Sequence, residues 1–239
     1  MGCTCDTCQS DHPYDQRYRS SAIIESDNTT ILIDTGPDLR SQLLRHGTKV
    51  LDGILMTHEH NDHTAGLDDV RPFNFWTKRD IPFYVEQRVL DNLHIRFRYI
   101  FEKSYSTAAK LEPTTIKPGE PFMINEVEII PFRVNHGSLP IVGFRIGNLA
   151  YITDAKTIPE ESMAILKGVE IMIVNALEER IHPTHFSLGE ATELADRLSV
   201  KQVYITHMSH RMGRHVAKQL TLPSNVTLGY DTMQIEFTA

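Results

Sequence analysis

Three histidines and an aspartate fall within six positions in His58-Glu59-His60-Asn61-Asp62-His63, which follows the apolar run at 50–56 after the single residue Thr57. Imidazole and carboxylate together are donors that suit zinc, manganese or iron. A strand that runs into a tight loop can aim four such donors at one place. The run therefore predicts a strand, and the loop a metal site. The plain alternative is a polar surface loop in a chain that has 12 histidines to place, but offsets this regular point to the metal. A second donor set opens the chain, because Cys3, Cys5 and Cys8 are its only cysteines. An odd, clustered set reads as metal ligation sooner than disulfide bonding. Three thiolates need a fourth ligand to close a tetrahedral zinc site, and both the nearby His12 and the remote His210 could supply it.

The elements that must position these donors can be read in order. Residues 21–26 and 29–34 form an expected hairpin, and Asp34-Thr35-Gly36-Pro37 then turns into a helix that runs to about His46 and is closed by Gly47. By itself Asp34 reads as a turn or cap residue. Basic and aromatic residues interleave at 71–79 and at 94–101. Such stretches are first amphipathic elements with solvated arginines, and second an anion-binding lid. Residues 104–109 read as a mobile loop. Strands are expected at 122–124, 127–134, 141–146 and 149–153, with His136 between two of them and Asp154 at the end of the last. A helix at 159–167, a buried strand at 171–174 and a loop holding His182 and His185 follow. Ser187-Leu188-Gly189-Glu190 has capping-box form and opens the next helix. A strand at 202–206 delivers His207, and strands at 226–228 and 233–237 finish the chain.

The expected class is α/β, in one domain over 1–239 whose first 12 residues are a cysteine-rich metal segment. A content of 41% hydrophobic and 23% charged residues is that of a globular protein. No apolar run approaches the ~20 residues of a membrane span, so no membrane partner is expected and the expected location is cytoplasmic. A net charge of −7 counts against a nucleic-acid partner held by a basic face, but it leaves room for a small anionic substrate. Assembly as a homodimer stays open.

His58-x-His60-x-Asp62-His63 after a strand resembles the H-x-H-x-D-H signature of the metallo-β-lactamase superfamily. The resemblance implies an αββα sandwich of two mixed sheets flanked by helices, with two divalent ions at the active site, manganese or zinc, with iron also admitted. His58, His60 and His136 would hold one ion, Asp62, His63 and His207 the other, and Asp154 would bridge them. Asp34 would support the ligand loop from behind. The cysteine run with His210, and His185 in a His-x-Ser-x-x-Glu setting, resemble the phosphodiesterase branch, and within it the phosphoribosyl cyclic phosphate phosphodiesterase family of phosphonate breakdown. That family has a glycine-rich strand ahead of the cysteines, whereas here only Met1 and Gly2 precede Cys3. What the resemblance implies is hydrolysis of a small cyclic or linear phosphodiester by a hydroxide bridging the two ions, with His185 as general acid and Asp154 in the catalytic set. His210, three residues beyond the expected ligand His207, is then the favoured fourth ligand of a structural zinc. Thioesterases, lactonases and tRNA-processing nucleases share the scaffold and are the alternatives. Diiron flavoproteins of the superfamily place a glutamate where His60 stands, which argues against a redox role.

Overall fold

The structure, a computed structural model, describes residues 2–102 and 107–239. The expected loop at 104–109 lies outside the described residues at 104–106. The chain divides into two compact units, Arg19–Glu128 and Met1–Tyr18 together with Ile129–Ala239. We call them the central and the terminal unit.

In the central unit, β1 (Ala22–Glu25) and β2 (Thr30–Ile33) form the expected antiparallel hairpin. Helix α1 (Leu39–His46) is closed by Gly47, which takes a left-handed φ of 80°. Then come β3 (Gly53–Leu55), α2 (Asn61–Thr64), α3 (Arg71–Thr77), β4 (Ile81–Val85), α4 (Gln87–Arg96), α5 (Arg98–Phe101), β5 (Leu111–Thr115) and β6 (Phe122–Ile124). The sheet order is β1-β2-β3-β4-β5, parallel from β2 onward. Leu32, Ile54 and Phe83 from three neighbouring strands share a core with Leu39, Leu67, Phe73 and Leu93. Strands β4 and β5 carry Pro82 and Pro113, which lack an N–H and hide a strand from sequence patterning. Burial of Ile81, Phe83 and Val85 supports β4 all the same, and β5 stands at the sheet edge, where a missing donor costs least.

Strand β7 (Val127–His136) starts on the last two residues of the central unit and from Ile129 belongs to the terminal unit, where it, β8 (Leu139–Ile146) and β9 (Leu149–Ile152) run antiparallel. They are followed by α6 (Glu160–Leu166), β10 (Ile171–Asn175), α7 (Leu188–Leu198), β11 (Gln202–Thr206), α8 (His215–Gln219) and β12 (Val226–Leu228). Strands β9 to β12 are parallel neighbours in the order β12-β11-β10-β9. His136 is part of β7, paired with Leu139 across the turn, and does not stand in a loop beyond it. Residues 233–237 are a correction, because their alternating pattern predicts a strand and none forms. Just beyond them the chain is fastened by Asn148, which exchanges two bonds of 2.9 Å with Thr238.

Both sheets are mixed and each unit carries helices, which is the α/β class expected from the sequence. In a parallel set all carboxyl ends lie along one edge of the sheet, so residues that directly follow neighbouring strands gather there. Asp34 follows β2 and the histidine loop follows β3; Asp154 and His207 follow β9 and β11. Among the described residues no helix is long and apolar enough to cross a membrane.

The capping box at α7 is formed: Ser187 Oγ accepts from Glu190 N at 3.3 Å while Glu190 Oε2 accepts from Ser187 N at 2.8 Å. Ser187→Ala should lower stability by about 1 kcal/mol. A urea unfolding midpoint equal to wild type, at unchanged slope, would remove the cap from the account.

Candidate metal centre

In the central unit one buried carboxylate, Asp34, holds two of the four donors, His63 directly and His58 through Thr57. Asp34, fully buried with φ 61°, accepts from Thr57 N at 2.9 Å, from Thr57 Oγ1 at 2.8 Å and from His63 Nδ1 at 2.7 Å. The Thr57 hydroxyl spends its proton on Asp34, so its lone pair must take the Nδ1–H of His58, 2.9 Å away. One carboxylate thus fixes the tautomer of two histidines, directly and through a hydroxyl, and leaves the lone pair of each on Nε2, the atom a metal ion would need. The ring of His58 lies 4.7 Å from that of His60 and 4.3 Å from that of His63, and His63 Nε2 is 3.5 Å from Asp62 Oδ2. Close backbone approach makes this possible. A Cβ on Gly36 would stand 2.5 Å from Asp62 O, and one on Gly66 would stand 2.3 Å from Gly36 O. From α4, Arg88 pairs with the Glu59 carboxylate, and Arg96 donates to Glu59 O and, at 3.0 Å, to Asn61 Oδ1. These two guanidiniums are committed to holding the ligand loop.

In the terminal unit, His136, Asp154 and His185 each offer a ligand atom, all within 4.8 Å of one another. His207 Nε2 is 3.1 Å from Asp154 Oδ1, and His185 Nε2 is 3.5 Å from Asp154 Oδ2. Nitrogen and carboxylate oxygen so spaced fit a shared cation, and the His136 Nδ1–H is spent on Thr184 O at 2.7 Å, which again presents Nε2. Asp154 and His207 stand at φ 55° and 54°, left-handed conformations that cost an L-residue about 1–2 kcal/mol each. The peptide after Asp154 is clamped by Asn175, fully buried, whose Oδ1 accepts from Ala155 N at 2.7 Å and whose Nδ2 donates to Ala155 O at 3.0 Å.

Sequence reading did not find Asn175, Thr57 or Thr184. The one available signal was polar: an asparagine that ends the apolar run Ile-Met-Ile-Val, and a threonine directly before His58, Asp154, His185 and His207.

At the chain's start, Cys3, Cys5 and Cys8 Sγ lie 3.3, 3.3 and 3.4 Å from His210 Nδ1. His12 is engaged elsewhere, accepting from Tyr14 N at the head of a short turn. Within the cluster the Cys5 thiol is drawn down to about 6, first by the Cys8 backbone amide and then by His210. Cys8 is pushed up to about 11, mainly by its hydrogen bond to Cys5.

The Beta-lactamase superfamily domain matches residues 29–208, and the chain belongs to the metallo-β-lactamase superfamily. Within it the chain is a member of the PhnP family. It is 37% identical to the solved structure of a diphosphatase from that family, over 99% of this chain and 91% of that one, with a TM-score of 0.92. An octanoyltransferase of Porphyromonas gingivalis is 37% identical over 237 residues, 98% of this chain and 48% of that one. A ribonuclease Z of Methanopyrus kandleri is 24% identical over 144 residues, 56% of this chain and 46% of that one. The chain spans about half the length of these two relatives.

Asn175→Ala leaves the buried Ala155 N–H without a partner and Ala155 O with Phe186 N as its remaining donor, and should cost about 1–3 kcal/mol. Denaturant titration checks this, and a loss below the lower figure would show that the clamp carries little.

Proposed function

We propose that the protein is a metal-dependent hydrolase of phosphoric diester bonds. In this reading His58, His60 and His136 hold one divalent ion, Asp62, His63 and His207 a second, and Asp154 serves both. Zinc, manganese and iron all suit such donors. The ions, when bound, supply Lewis acidity that activates water and draws off charge at phosphorus. Asp34 keeps two ligand imidazoles in the coordinating tautomer, and His185 gives its Nε2 proton to the departing oxygen.

The observation that carries this reading is His185. It is a further imidazole beside His136 and His207, at ring separations of 4.5 and 5.2 Å, with its Nδ1 tied back and its Nε2 toward Asp154. An alkoxide leaving from phosphorus needs that proton more than an acyl ester does. The named activity of the PhnP-family diphosphatase supports chemistry at phosphorus, and it makes an organic diphosphate the second substrate class. Half of the octanoyltransferase lies outside the match, and acyl transfer stays with that protein. The similarity to ribonuclease Z keeps a nuclease in view, while a net charge of −7 counts against a grip on a polynucleotide backbone.

Cys3, Cys5, Cys8 and His210 hold a structural zinc in this reading, and a reducing cytoplasm is the compartment that keeps the thiols in ligating form. Elemental analysis should then find about three ions per chain, one of them resistant to chelators and lost in Cys5→Ser. A Cys5→Ser protein with undiminished metal content would end that assignment.

The activity is tested by comparing cyclic and linear phosphodiesters and organic diphosphates with octanoyl esters and thioesters. Turnover at phosphorus should dominate, and a preference for acyl esters would overturn the reading. His185→Ala should lower phosphodiester kcat by about 10²–10⁴ at unchanged metal content. Unchanged turnover would remove His185 from the mechanism and leave the ligand set standing.

A further inference from the structure

His185 can deliver a proton from Nε2 only if its other nitrogen is held, and the loop around it supplies the hold. Thr184 Oγ1 lies 3.0 Å from His185 Nδ1 and 3.2 Å from His182 Nδ1. The direction of these bonds follows from a third. Thr184 N–H, which can only donate, points at His182 Nδ1 at 3.3 Å, so that nitrogen is the acceptor of its ring. The Thr184 hydroxyl therefore donates to His182 Nδ1, and its lone pair faces His185 Nδ1, which must carry the hydrogen. His182 Nδ1, 3.3 Å from His185 Nδ1, is a second acceptor for that hydrogen. The same construction stands at His58, where the hydroxyl of the preceding residue, Thr57, takes the imidazole N–H and passes its own proton to Asp34. At Thr184 the final acceptor is a neutral histidine.

Thr184 is itself fixed. Its carbonyl accepts from His136 Nδ1 at 2.7 Å, and its methyl carbon would lie 3.0 Å from a Cβ on Gly137. Just beyond His185, Phe186 N donates to Ala155 O at 2.7 Å, next to Asp154. The loop is thus anchored on both sides of the imidazole.

We propose that Thr184, backed by His182, is the positioning residue of the general acid: its hydroxyl accepts the Nδ1 hydrogen of His185, so that the second proton, taken from solvent to form the imidazolium, sits on Nε2, from which it passes to the departing oxygen and is regained from solvent. This rests on the reading of His185 as general acid, and the test separates the two.

The experiment compares wild type, His185→Ala, Thr184→Val and Thr184→Ser on an alkyl phosphodiester, whose leaving group needs a proton, and on a p-nitrophenyl phosphodiester, whose leaving group does not. Thr184→Val keeps shape and carbonyl while losing the hydroxyl. It should lower kcat on the alkyl ester about 10–100-fold, with KM within about twofold and metal content unchanged, while losing far less on the aryl ester. Thr184→Ser should restore most of the loss. If His185→Ala discriminates between the esters and Thr184→Val does not, the positioning role is wrong and the acid stands. If His185→Ala does not discriminate, both fall. An equal loss on both esters, or loss of metal in Thr184→Val, marks a structural role and overturns the proposal. Should Thr184→Val fail to fold, nitrogen-correlated NMR of histidine-labelled, zinc-loaded wild type decides. In its neutral form His185 must show the Nδ1–H tautomer, and a neutral Nε2–H tautomer would refute the assignment.

Discussion

An imidazole has two nitrogens, and a hydrogen bond to one decides what the other can do. Around this constraint both units of the chain are arranged. Asp34 binds His63 directly and His58 through Thr57, and the Thr184 carbonyl binds His136. In each case Nδ1 is occupied and Nε2 is presented. Without these partners each neutral ring would divide its proton between two sites, and a fraction of the molecules would offer an N–H where a lone pair is needed. The partners are buried: Asp34 and Thr57 have no exposed surface. A buried carboxylate is tolerable only when its charge is met, and here two N–H groups and a hydroxyl meet it.

The geometry is held under strain. Asp34, Asp154 and His207 all adopt left-handed backbone at the point where the chain leaves a strand. Aspartate and histidine enter that region more readily than branched residues, yet still at a cost, and such positions persist only where the surroundings over-determine them. Asn175 does so for Asp154 by gripping both polar atoms of Ala155, while Gly36 and Gly66 let the backbone near Asp34 close on the ligand loop. Folding energy from two apolar cores is in this way committed to placing a few polar atoms.

The cysteine cluster belongs to the same logic at longer range. His210 lies three residues beyond His207, and the intervening Ser209 N donates to Leu177 O at 2.8 Å. The first eighteen residues are fastened to the end of the chain by the thiols at His210, by Asp15 Oδ1 accepting from His215 N at 2.7 Å, and by Tyr14 stacked on Tyr230 at 4.0 Å. A loop that carries a candidate ligand is therefore anchored by a segment more than 190 positions away in the chain, where Asp15 meets His215 at a separation of 200.

Local patterning accounts for the ligand loop, the hairpin, the capped helix after Ser187 and the α/β class, because donor spacing, β-branched runs and capping residues act over a few neighbours. Strands β4 and β5 were not legible in this way: their prolines break the local pattern, and what overrides it is burial of Ile81, Phe83 and Val85 in β4 and, for the mostly exposed β5, pairing with β4. The alternation at 233–237 misled in the opposite sense, since a strand forms only where a neighbour offers a ladder. By itself the sequence determined which donors exist and which elements carry them. Only the tertiary structure decided which nitrogen each histidine presents, because the atoms that settle it, Asp34 for His63 and the Thr184 carbonyl for His136, lie 29 and 48 positions away along the chain. Hydrogen bonds between such distant residues exist only once the chain has folded.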